Sequence, residues 1–78
     1  MTTDQTHSDH TYIVNEIVGS SPEGVDQAIR NGLARAAKTL RHLDWFEVRE
    51  IRGTISDGDV GWFQVRMGVG LRAEDPDS

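Results

Sequence analysis

The chain has 78 residues, no cysteine, and 8 Lys+Arg against 13 Asp+Glu, for a formal net charge of -5. That composition excludes disulfides and thiolate metal sites, argues against the basic surface that general nucleic-acid binding requires, and offers no apolar run near the roughly 18 residues of a membrane span. A domain this short buries little of its surface, and three histidines (His7, His10 and His42) are poor material for a zinc site, so association with other subunits is the expected source of further burial.

In chain order, residues 1–10 are polar and have no hydrophobic core of a signal peptide. They are read as a flexible N-terminal segment, and the protein as soluble and cytoplasmic. Residues 11–72 are read as the folded domain and residues 73–78 as a flexible tail. The first predicted strand is Thr11 to Val18, where Tyr12, Ile13, Val14, Ile17 and Val18 precede Gly19. Ser20-Ser21-Pro22-Glu23 reads as a helix start, with a serine cap and proline at the first helical position. Glu23 and Asp26 suit the positive end of the helix dipole. Val25, Ala28, Ile29, Gly32, Leu33, Ala36, Ala37 and Leu40 recur as one apolar stripe, and the helix is expected to end within Thr39-Leu40-Arg41-His42-Leu43-Asp44. Gly32 and the alanines keep that stripe slim, which allows close approach to a sheet.

The second predicted strand runs from Trp45 to Ile55, the Ser56-Asp57-Gly58-Asp59 segment is a turn, and the third strand covers Val60 to about Arg72. Phe63, Val65, Met67, Val69 and Leu71 share one face of the third strand, while Gln64, Arg66, Gly68, Gly70 and Arg72 share the other. The second strand changes parity between Phe46 and Val48 on one side and Ile51 and Ile55 on the other. A bulge near Arg49-Glu50 would reconcile them. The predicted fold is therefore α+β with the order β-α-β-β: a three-stranded antiparallel sheet packed around one amphipathic helix. One helix cannot cover such a sheet, so part of its outer face, with arginines, Gln64 and both tryptophans, is expected to meet other subunits.

Trp45 carries the most information, because it puts an indole where the helix gives way to a strand. With an amide and several arginines nearby, such an indole suits a flat, anionic ligand; alternatively it is a core or interface aromatic. Gln64 offers both an acceptor and donors, or else faces solvent. Arg52 and Arg72 suit a phosphate, or else form surface ion pairs with Glu47, Glu50 and Glu74. Asp44 and Glu47 lie close to the proposed ring. Trp62 reads as a subunit contact and His42 as a helix-end or partner contact. Gly24 and Gly32 lack the spacing of a phosphate loop.

These segments resemble a known family. Glu16-Ile17-Val18-Gly19-Ser20-Ser21-Pro22-Glu23-Gly24, Leu43-Asp44-Trp45-Phe46-Glu47-Val48, Ile51-Arg52-Gly53 and Phe63-Gln64-Val65 occur in one order that is similar to the dodecins. The resemblance implies a flavin-binding protein assembled as a hollow homododecamer, holding flavins in pairs at twofold contacts and without established catalysis. It also implies that each isoalloxazine ring stacks on Trp45, that Gln64 bonds the pyrimidine edge, and that Arg52 and Arg72 lie near the phosphate of FMN, with riboflavin and FAD as further ligands. Coenzyme A, held by some members, would fall around Arg35, Thr39, Leu40 and Arg41. Flavin storage, buffering and photoprotection are the implied roles. A small flavin reductase and a ligand-free structural oligomer stand as alternatives. The first would need a hydride donor beside the ring, and the chain shows no dinucleotide fingerprint.

Overall fold

The computed structural model describes residues 10–73. The expectations for residues 1–9 and 74–78, and the pairing with Glu74, lie outside the described residues. The elements are strand β1 (Tyr12–Ser21), helix α1 (Val25–Ala36), strand β2 (Leu43–Ser56) and strand β3 (Asp59–Arg72). The three strands form one antiparallel sheet in the order β1-β3-β2. The predicted fold is the observed one, and β3 is its central strand.

The hairpin forms where Asp57-Gly58 supplies two successive left-handed residues, with φ 53° and 78°. That is the turn whose twist matches a two-residue β-hairpin. The alternation in β3 also holds: Val65, Met67 and Val69 are fully buried beneath the helix side of the sheet. In β2 the expected bulge is present, because Val48 pairs with Met67 and Glu50 with Arg66, leaving Arg49 as the extra residue. Phe46, Val48 and Ile51 consequently all share the face of the core. Two further irregularities leave Asp44 and Gly61 unpaired.

Both ends of the helix differ from the sequence expectation. Ser20 and Ser21 remain in β1, paired with Gln64 and Phe63. Ser21 is 1% exposed, and its hydroxyl accepts a 2.9 Å bond from the Glu23 N–H, so it builds a turn instead of a cap. The N-cap is Gly24, with no side-chain cap bond. At the other end α1 stops at Ala36 and tightens into shorter bonds, Lys38 N–H to the Arg35 carbonyl and Thr39 N–H to the Ala36 carbonyl, both 3.1 Å. His42, at φ 62°, then turns the chain into β2. Ala37, expected in the apolar stripe, is exposed.

Close packing positions α1. Ala28, Gly32 and Ala36 are its buried residues. A methyl group on Gly19 would overlap the Ala28 carbonyl and lie 3.1 Å from the Gly32 Cα, so helix and strand meet backbone to backbone. The helix rests on β1 and β3. The apolar side chains of β2 are left exposed, Ile55 most of all at 84%.

Candidate functional site

The candidate residues fall in three places. The first is the start of β2. Leu43 pairs with Leu71 and Trp45 with Gly70, so the extra residue Asp44 reverses the face on which the strand presents its side chains. Leu43 goes to the helix side and Trp45 to the outer face. There the indole lies across β3: a methyl on Gly70 would overlap the fused bond of the ring and sit 2.6 Å from its Cδ2. Trp45 keeps 38% exposure, so one face of the indole meets the strand and the other remains open.

Tyr12 stands beside it, with ring centroids 5.6 Å apart and planes inclined at 59°. Its hydroxyl donates a 2.8 Å hydrogen bond to Asp44 Oδ2. That bond, chiefly, lifts the phenol above its ordinary range, with burial and the Asp44 charge adding to it and the Arg72 charge opposing. Arg72 pairs directly with Tyr12 across the β1–β3 ladder. Asp44, Trp45 and Arg72 are thus brought together, with Tyr12 as a fourth member. Tyr12 was legible only as a strand residue. Its place at the indole depends on β1 pairing with β3, which no local pattern specifies.

The second place lies further along the same outer face. Arg52 and Gln64 are direct partners across β2 and β3, and Arg52 Nε donates a 3.2 Å bond to Gln64 Oε1. The carboxamide NH2 is the group left to donate. Gln64 and Gly70 are six positions apart on β3, about 20 Å at the rise of a strand. One copy of the chain therefore does not bring Trp45 and Gln64 onto the same small ring.

Between these two places runs an ion-pair cluster across all three strands. Glu16 Oε2 meets Arg66 Nη1 at 2.6 Å and Arg49 Nη1 at 3.3 Å, while Arg66 Nε meets Glu50 Oε1 at 3.1 Å. The hydrogen bond from Arg66, chiefly, holds the Glu16 carboxyl below its ordinary range, and Arg49 adds to it. Glu50 pairs with Arg66, and Glu47 lies 4.0 Å from Arg49 Nη2. The alternative reading, in which these carboxylates pair with Arg52 or Arg72, is therefore not what forms: Glu47 and Glu50 pair with the neighbouring arginines Arg49 and Arg66.

The third place is a groove of about 480 Å³ between α1 and β1, lined among others by Asn31, Arg35, Thr39 and Leu40. It unites three of the four residues assigned to a coenzyme A site; Arg41 is not part of its lining. Among the described residues no three His, Asp or Glu side chains come together to hold a metal ion, and no helix is long and apolar enough to cross a membrane.

Residues 11–74 match the family model Dodecin. The chain belongs to the dodecin family. A dodecin from Thermus thermophilus is 60% identical over 60 residues, 77% of this chain and 87% of that protein. Solved dodecins from Streptomyces davaonensis and Streptomyces coelicolor are 60% and 57% identical, each with a TM-score of 0.82 over 87% of this chain, and cover 100% and 97% of their own lengths. Three variants of the Thermus dodecin, with one tryptophan changed to phenylalanine or one of two arginines changed to alanine, match at a TM-score of 0.81. Membership of the dodecins makes this a small flavin-binding protein and a homo-oligomer.

Proposed function

We propose that the chain stores, buffers and photoprotects flavin, FMN before riboflavin and FAD, in a cytoplasmic homododecameric shell without catalytic turnover. The observation that carries this reading is the half-open indole of Trp45, flat against Gly70, with Arg72 two positions further along the same face of β3 and paired with Tyr12. An isoalloxazine stacked on the open face gains the large overlap that aromatic platforms give flat ligands. It also meets an electron-rich ring able to quench its excited state. The replaced tryptophan and arginines of the Thermus variants are spaced along that chain as Trp45, Arg52 and Arg72 are along this one, which supports giving these three residues to the ligand.

Because Gln64 lies far from Trp45 within one copy, the ring is shared: Trp45 of one chain forms its floor, and Gln64 of another donates to a carbonyl oxygen of the pyrimidine edge. Arg52 and Arg72 receive the phosphate, and Asp44 braces the site through Tyr12. The groove at Arg35, Thr39 and Leu40, with Arg41 beyond it, is the proposed seat of coenzyme A.

Titration of the apo-protein with riboflavin, FMN, FAD and lumichrome, followed by fluorescence, tests the reading. Saturable quenching with FMN bound most tightly is expected. A protein that neither binds nor quenches any of them is a structural oligomer instead, and bleaching of bound flavin by NAD(P)H with turnover would make it a reductase.

A further inference from the structure

Gly68 and Gly70 lie on the outer face of β3, both buried, and each has a side chain of β2 laid over it. The two differ in what covers them. A methyl on Gly68 would meet the guanidinium of Arg49 at 2.6–3.0 Å, the movable end of a flexible chain. A methyl on Gly70 would meet the fused bond of the Trp45 indole, a rigid ring that cannot bend away and can only swing off the strand. Gly70 needs no special backbone conformation, because the positive φ values belong to His42, Asp57 and Gly58. Space for the ring is the one feature that distinguishes glycine from alanine at this position. Tyr12 lies against the ring on its β1 side, with centroids 5.6 Å apart, and is itself held by its bond to Asp44.

Resting on the stacking role given to Trp45 above, we propose that Gly70 and Tyr12 are positioning residues of the flavin site: together they form a cradle that holds the indole flat, and ligand affinity depends on that pose as much as on the indole. Gly70 acts from below by leaving room, and Tyr12 acts from the side through its hydroxyl.

A double-mutant cycle tests the cradle. Riboflavin, which lacks the phosphate, is titrated into wild type, Gly70→Ala, Gly68→Ala, Tyr12→Phe and Trp45→Ala, and into Gly70→Ala and Tyr12→Phe each combined with Trp45→Ala. Gel filtration confirms that each variant assembles. Gly70→Ala is expected to weaken binding by about tenfold or more, with a changed near-ultraviolet signal from tryptophan, because the stacking contact is displaced. In the Trp45→Ala background the same change should have no effect, and Gly68→Ala should bind as wild type.

Equal losses in both backgrounds, or wild-type binding by Gly70→Ala, overturn the proposal. If Gly70→Ala does not assemble, Tyr12→Phe decides: a loss confined to chains with Trp45 supports the cradle, and a loss independent of Trp45, or none, overturns it. Wild-type affinity in Trp45→Ala alone points instead to failure of the underlying stacking assignment, and the cradle falls with it.

Discussion

At the scale of single residues, the open indole face makes the strongest prediction. Trp45→Ala should cost flavin binding about 1–3 kcal/mol, by analogy with stacked bases, and abolish quenching while the assembly mass stays unchanged. Arg52→Ala should weaken FMN more than riboflavin, since only FMN carries the phosphate that a guanidinium grips. Competitive titration of the two flavins measures that ratio, and equal losses would remove Arg52 from the phosphate. The ion-pair cluster predicts a pH effect. Glu16 has its carboxyl held down in the folded protein, so its contribution is present above the ordinary carboxylate range and fades as pH falls through the lowered folded value. Acid titration of thermal stability should therefore show a shallower acid limb for Glu16→Gln than for wild type. Chemical type and the dodecin resemblance together made Trp45, Gln64, Arg52 and Arg72 candidates in the sequence. Tyr12 was not, because its partner Asp44 stands 32 positions away and meets it only through the sheet.

At the scale of elements, the three strands, the hairpin turn and the Arg49 bulge were all readable, since each leaves a period or a turn signal in a short window. The helix ends were not. Ser20-Ser21-Pro22 carries a plausible start signal, but the ladder to Phe63 and Gln64 keeps both serines in β1, and long-range pairing outweighs a local cap. The bulge at Asp44 was equally hidden, because Leu43 reads as the helix end, so its change of parity against Phe46 and Val48 falls outside the predicted strand. Helix docking depends on a near contact of backbones, which Gly19 makes possible. Gly19→Ala should push the Ala28 carbonyl, and α1 with it, away from β1 and destabilise the fold by roughly 1–3 kcal/mol, the usual range for overpacking. A lowered urea midpoint at unchanged flavin stoichiometry is the expected record, and an unchanged midpoint would show that the helix can lift at no cost.

At the scale of the whole molecule, α1 covers β1 and β3 and leaves Phe46, Val48, Ile51 and Ile55 of β2 exposed. A run of apolar side chains along one strand marks a surface to be covered, and a homo-oligomer covers it with its own copies. The proposed flavin site, divided between the two ends of one face, would have the same origin. When Trp45→Ala and Gln64→Ala chains are co-assembled in equal amounts, about a quarter of the sites should regain both groups if the ring is shared across a symmetric contact. No recovery at all would mean that one chain supplies both. The sequence hinted at association through shortage of core, but which residues come from which copy depends on distances along β3 that appear only once the sheet is built.

The central strand carries two messages at once. Its odd positions from Phe63 to Leu71 lie towards the interior, and its even positions from Gln64 to Arg72 turn outward among the groups proposed for the ligand. Removing a single residue from its middle would invert the remainder of that strand, sending arginine inward and methionine or valine outward together. Recognition and folding therefore cannot drift apart here by insertion or deletion. They can change only by substitution, one side chain at a time.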